Sequence, residues 1–302
     1  MADADINRRC GFIAVIGSPN AGKSTLVNTL VGAKVAIVSR KVQTTRSALR
    51  GIAIEGESQL VFIDTPGIFQ PRRRLDRAMV DAAWGGAGDA DITLLVVDAA
   101  KAIDEELERI LEKLANFHAP RLLALNKIDR VQKARLLELA ADLNKRVTFG
   151  QTFMISALEG DGTGDLKSYL AANVPPGPWH YPEDEISDAP LRVMAAEITR
   201  EKMYDRLHDE LPYQATVETT SWQEKSNGIR IEQTIYVERD SQKRIVLGKG
   251  GSMIKHLSTE SRQELTTVLE KPVHLFLFVK VRENWGDDPE RYRDLGLTYP
   301  KD

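Results

Sequence analysis

Eight consecutive residues carry the first chemical signal. Gly17-Ser18-Pro19-Asn20-Ala21-Gly22-Lys23-Ser24 matches the pattern G-x-x-x-x-G-K-[ST], and Thr25 follows directly. Glycines let backbone N–H groups close around phosphate oxygens, and a helix starting there adds its positive dipole end. Lys23 is placed to reach the β- and γ-phosphates, and the Ser24 hydroxyl to bind Mg²⁺. The run predicts a bound nucleoside triphosphate. Alone it chooses neither ATP nor GTP, and neither kinase nor hydrolase.

Asn126-Lys127-Ile128-Asp129 makes that choice. A carboxylate at Asp129 can accept from guanine N1–H and its 2-amino group, a donor pair that adenine lacks. A site built around such a bond rejects the analogue without it by about 10⁴- to 10⁵-fold in favourable cases. Asn126 is expected to brace the base and the phosphate loop, and the Lys127 stem to cover the base face. Ser156-Ala157-Leu158 fits a loop whose backbone N–H meets guanine O6.

Asp64-Thr65-Pro66-Gly67 supplies D-x-x-G. Asp64 is expected to hold Mg²⁺ through a water, and the Gly67 N–H to sense the γ-phosphate. Ile68 follows, where many small GTPases carry a water-orienting glutamine. Arg72, Arg73 and Arg74 read as a solvated loop or, alternatively, as an RNA contact. In Gln43-Thr44-Thr45-Arg46, either threonine could offer its hydroxyl to Mg²⁺, with Thr45 favoured. The catalytic candidates are thus Lys23, Thr44, Thr45 and Gly67.

These residues need a frame. Phe12–Gly17, Gln59–Asp64, Asp91–Asp98, Pro120–Asn126 and Thr152–Ser156 are short apolar runs that read as buried strands. Helical patterns lie between them at Ala21–Val31, Leu75–Trp84, Asp104–Phe117, Lys133–Arg146 and Leu166–Ala172. The alternation predicts an α/β nucleotide-binding domain over residues 9–173 with a mostly parallel sheet. Residues 174–190 hold five prolines and a group of acids, and read as a linker.

Residues 191–302 read as a smaller α+β domain. Arg200–Leu211 looks helical, and Ala215–Gln223 and Gly228–Glu238 alternate like strands. Ser252–Leu257 and Glu260–Leu269 read as helices broken near Ser258, and Val273–Val281 as a last strand. The order is α-β-β-α-α-β.

Composition narrows the class. With 302 residues, 42% hydrophobic and 28% charged, the chain has material for about two globular domains. Its one cysteine, Cys10, excludes a disulfide framework and suits a reducing compartment. The longest apolar runs are strand-sized, whereas a membrane span needs about 20 residues. The net charge of −3 leaves the local distribution to decide about nucleic acid.

GSPNAGKS, QTTR, DTPG, NKID and SAL, in this order, resemble the TrmE–Era group of translation-factor-like GTPases. Val246-Leu247-Gly248-Lys249-Gly250-Gly251 contains, between an expected strand and a helix, the G-x-x-G of KH domains, and the helix-first order looks like the type II arrangement. The stretches 238–244 and 283–291 are similar to the Era branch of the group. This resemblance spans about residues 9–297. It implies a GTP-hydrolysing switch that uses GTP/GDP and Mg²⁺, binds the 3′ end of 16S rRNA, and assists assembly of the 30S subunit and rRNA maturation. It also implies a cytoplasmic monomer with some peripheral contact with the inner face of the cell membrane. In relatives an asparagine at the place of Asn20 holds a K⁺ ion that substitutes for an arginine finger, so K⁺ is expected here too.

Charge around the G-x-x-G agrees. Residues 239–262 hold six basic side chains (Arg239, Lys243, Arg244, Lys249, Lys255 and Arg262) against Asp240 and Glu260. Lys243, Arg244, Gly248, Lys249, Gly250, Gly251 and Lys255 are the expected RNA contacts. Three rivals compete with this reading. A P-loop kinase or ATPase conflicts with NKID. An RNA-binding scaffold with little hydrolysis conflicts with the intact Lys23, Ser24 and Asp64. A GTPase of tRNA modification would carry a terminal cysteine.

Overall fold

The apolar run before Gly17 forms β1 (Arg9–Ile16), a strand buried on both faces. Ile13 and Val15 enter one core, and Ala14 and Ile16 the other. A strand must be apolar throughout when helices cover both sides of its sheet. The computed structural model describes residues 7–39, 41, 45–46, 49–71, 73–208, 211–294 and 296–300. Gln43, Thr44 and Arg72, singled out above, lie outside the described residues.

The chain divides into two compact units: Met1–Ala36, Thr45–Asp188 and Leu295–Asp302 form one, Ile37–Thr44 and Ala189–Asp294 the other. After β1 the first continues through α1 (Lys23–Val31), β2 (Leu49–Glu55), β3 (Ser58–Asp64), α2 (Arg74–Gly88), β4 (Ile92–Asp98) and α3 (Glu105–Leu114). It ends with β5 (Arg121–Asn126), α4 (Lys133–Arg146), β6 (Gln151–Ile155) and α5 (Thr163–Asn173). The sheet order is β2-β3-β1-β4-β5-β6. All neighbouring pairs run parallel except β2 with β3.

The antiparallel edge strand β2 is absent from the elements expected above. Gly51 interrupts its apolar run, and edge pairing leaves a weak pattern. The arginine run is not wholly loop. Arg73 precedes α2, its N–H donating to the buried Asp76 carboxylate (3.0 Å), and Arg74 opens the helix. Residues of the expected linker pair along the sheet: Cys10 N–H donates to Pro175 O (3.1 Å) and Ile52 N–H to Ile186 O (2.9 Å). The Gln59 side chain also accepts from the His180 and Tyr181 amides.

The second unit contains α6 (Leu191–Arg206), β7 (Ala215–Lys225), β8 (Gly228–Val237), α7 (Asp240–Leu247), α8 (Ser252–Val268), β9 (Val273–Val281) and α9 (Pro289–Asp294). Its sheet runs β7-β8-β9, antiparallel and then parallel. Helices cover one face, with Met203, Ile235, Val246, Leu257 and Val279 in the core. The expected break near Ser258 does not occur. α8 is continuous, and Thr259 Oγ1 donates to Lys255 O one turn back (2.9 Å). The earlier helix of the pair is α7, so G-x-x-G joins two helices and not a strand to a helix. No described helix is long and apolar enough to cross a membrane.

Candidate nucleotide site and RNA-binding turn

Five parallel strands end on one edge of the first sheet. Beyond or at those ends stand Gly17, Asp64, Asp98, Asn126 and Ser156. Ligands in open α/β sheets sit at the carboxyl ends of strands. The topology therefore gathers motifs that are far apart in sequence.

Gly17 to Gly22 form the turn into α1, with Ala21 N–H donating to Ser18 O (3.3 Å). Pro19 lies within it, Asn20 has a left-handed φ of 62°, and Thr25 lies in the first turn of α1. Gly22 also has positive φ (98°), and a Cβ there would come within 2.3 Å of Asn126 Nδ2. Lys23 is buried, its ammonium donating to the Gly17 and Ser18 carbonyls (both 3.1 Å). Burial pushes Lys23 down to about 8, against the pull of nearby Asp64. A phosphate group would supply the counter-charge that burial removes.

Ser24 Oγ donates to Asp64 Oδ2 (2.7 Å), and Thr45 Oγ1 donates to the same oxygen (3.1 Å). Asp64 is fully buried, which raises its pKa, while the Ser24 hydroxyl opposes the rise. Its Oδ1 is buried with no hydrogen-bond partner among the described residues. Two hydroxyls beside a carboxylate that keeps one oxygen without a partner fit a hard divalent cation such as Mg²⁺. Thr65 Oγ1 donates to Val15 O (2.8 Å), tying the D-x-x-G loop to β1. Pro66 and Gly67 are buried, and Ile68 N–H donates to Gly17 O (3.1 Å). The Ile68 side chain is buried in the core and presents no polar atom to orient water.

On the base side, Asn126 is central. Its Nδ2 donates to Ala21 O (2.8 Å), and its Oδ1 accepts from Lys127 N (2.8 Å) and Ala157 N (2.9 Å). Lys127 has φ 66°, and its ammonium donates to Asn20 O and Asp98 Oδ2 (both 2.7 Å). Asp129 is exposed and accepts from Ser156 Oγ (2.7 Å), which lowers its pKa. Leu158 projects outward, 70% exposed. Sequence reasoning missed Asp98, although it closes an apolar strand at the ligand edge.

In the second unit, Gly248, Gly250 and Gly251 all have positive φ (74°, 59° and 79°) and carry the chain from α7 into α8. A Cβ at Gly248 would lie 2.7 Å from Met253 N, so the turn requires glycine there. Arg244, Lys249, Gly250 and Lys255 are exposed, and Lys243, Gly248 and Gly251 half-buried. Ile245 is 55% exposed beside them, while Leu247 and Ile254 pack on the core. The turn thus offers cationic side chains and a close, side-chain-free backbone approach to a phosphate chain.

Fold and site together define a P-loop GTPase joined to a KH-type unit. Residues 12–127 match the family described as 50S ribosome-binding GTPase, and residues 210–286 match the KH domain family. A GTPase Era from a Bradyrhizobium species is 62% identical over 97% of this chain and 96% of its own, and one from Rhizobium meliloti 63% identical over 97% and 94%. A solved Era in complex with MgGDPNP and nucleotides 1506–1542 of 16S ribosomal RNA superposes with a TM-score of 0.90, at 35% identity, over 96% of this chain and 99% of its own. Aquifex aeolicus Era bound to GDP·AlF4⁻ gives the same TM-score at 36% identity, over 95% and 99%. The chain belongs to the Era family of GTPases.

Asp129→Asn keeps an acceptor for Ser156 but cannot accept from both guanine donors. GTP affinity should fall by about one hundred-fold or more, and affinity for xanthosine triphosphate should rise. Competition binding with the two nucleotides measures both, and unchanged GTP affinity would remove Asp129 from the base site.

Proposed function

We propose that the chain is a GTP-driven switch that binds the 3′ end of 16S rRNA through its KH unit and assists assembly of the small ribosomal subunit. The observation that carries this reading is the near-full-length likeness to the Era complex with 16S rRNA nucleotides. The positively charged G-x-x-G turn supports it from this chain's own residues.

Lys23 and the loop N–H groups would hold the β- and γ-phosphates. Ser24, Thr45 and Asp64 would hold Mg²⁺, which neutralises charge on the transferred phosphoryl group when bound. Asp129 selects guanine. The Gly17–Ile68 backbone bond couples the phosphate loop to the D-x-x-G loop, where loss of the γ-phosphate is sensed. Because the Ile68 side chain is buried and carries no polar atom, water orientation and charge neutralisation fall to other groups. Asn20, held in a left-handed conformation within the phosphate loop, is our candidate K⁺ ligand.

Two measurements test this. Replacing K⁺ by Na⁺ at fixed ionic strength should lower GTP hydrolysis by about ten-fold or more, since a charge in the finger position is worth far more than that. Equal rates would exclude the cation. Gly251→Asp should abolish binding of a 16S rRNA 3′-end oligonucleotide while sparing GDP binding. A Cβ at Gly251 meets no atom within 4 Å, but its left-handed φ of 79° costs a non-glycine residue about 1–2 kcal/mol, so the melting transition of the variant is measured alongside to show that the unit still folds. Retained RNA affinity at moderate salt would overturn the role given to the G-x-x-G turn.

A further inference from the structure

The helix-free face of the second unit's sheet carries an unusual pair. Along β9, Val273, Leu275 and Val279 turn toward the helices and are buried. Phe276 and Phe278 turn the other way and are 41% and 47% exposed. A strand's side chains alternate, so both rings stand on one face, two residues apart. Contiguous exposed apolar surface marks an interaction site, whereas apolar side chains scattered singly are ordinary.

The neighbouring strand completes the surface. Arg230 of β8 lies over the Phe276 ring, its guanidinium 4.3 Å from the centroid, and pairs with Glu232 (2.7 Å). His274 and Lys280 are exposed on the same face of β9, at either side of the two rings. Aromatic faces flanked by Arg, His and Lys suit nucleobases. Every base has a π-face to stack, and cations beside the rings meet phosphates.

We propose that this open face is a second RNA-contacting surface, a stacking platform on which Phe276 and Phe278 each take an unpaired base. The proposal rests on the RNA-binding reading above. A G-x-x-G clamp holds about four nucleotides by their backbone, so a longer single strand leaves that turn with bases unpartnered. β9 belongs to the same small sheet that α7 and α8 cover, which keeps the platform within one unit. A protein partner fits less well. Two rings rimmed by charge offer far less apolar surface than the roughly 800 Å² per side of a stable interface.

The test uses the full chain and two single-stranded oligoribonucleotides from the 16S rRNA 3′ end, one of about 5 and one of about 12 nucleotides. Phe276→Ala/Phe278→Ala should weaken the longer RNA by about ten-fold or more and leave the shorter unchanged. The salt dependence of the longer RNA should keep its slope, because no phosphate contact is removed. Phe276→Trp/Phe278→Trp should restore affinity, which a folding defect in the alanine variant would not explain away. Equal affinity of wild type and the alanine variant for the longer RNA would overturn the platform, as would equal losses on both lengths. Loss of binding to whole small subunits with both oligonucleotides unaffected would overturn it in favour of a protein partner. If the wild type bound neither oligonucleotide, the RNA-binding reading itself would fall, and the platform with it.

Discussion

The nucleotide site depends on the side-chain amide of Asn126. One group holds three loops at once: the phosphate loop through Ala21 O, the NKID turn through Lys127 N, and the SAL loop through Ala157 N. Asn126 is 2% exposed, and its partners are buried or partly so. A buried amide with its hydrogen bonds satisfied fixes its neighbours, whereas a lost partner leaves a desolvated group exposed to the full cost, about 1–3 kcal/mol. Gly22 is bound to the same device, since any Cβ there would displace Nδ2. The glycine of one motif and the asparagine of the other, over one hundred residues apart, require each other. Lys127 adds a second tie, joining the Asn20 carbonyl to Asp98.

Electrostatics gives the site its direction. Lys23 and Asp64 are both buried, and burial works against the charge of each. A protein that merely needed stability would not desolvate an ammonium and a carboxylate in one place. A ligand carrying phosphate and a divalent cation supplies opposite charge to both. The RNA turn follows the reverse rule. Arg244, Lys249 and Lys255 stay exposed, where they would gain from a polyanion without being desolvated beforehand.

The parallel core and the nucleotide motifs were legible because their signals are strong. Strands buried on both faces form near-continuous apolar runs, and glycine-rich phosphate turns admit few substitutes. The misses have physical causes. β2 is an edge strand with Gly51 in its middle. α7 is eight residues long, with Val246 its one fully buried aliphatic residue, and its first turn is held by Gln242 accepting from the Glu238 and Arg239 amides (2.8 and 3.2 Å) in place of a Ser, Thr, Asp or Asn cap. The run Ser258–Ser261 looked like a break because its residues are polar and compete with the backbone. In α8 the Ser258 hydroxyl donates to Leu275 O (3.5 Å) and Thr259 to Lys255 O within the helix, while Ser261 Oγ is buried with no hydrogen-bond partner among the described residues. The Asn126 hub itself was anticipated only as a brace. That its amide spans three loops depends on the packing of five strand ends, which no local pattern encodes.

The most direct test of this account is Asn126→Ala, read by amide hydrogen exchange and GDP affinity in one preparation. The account predicts that the Ala157 amide exchanges about ten-fold faster or more, that GDP affinity falls by a similar factor, and that amides of the central strand β4 keep their protection. Wild-type protection at Ala157 together with wild-type GDP affinity would contradict it.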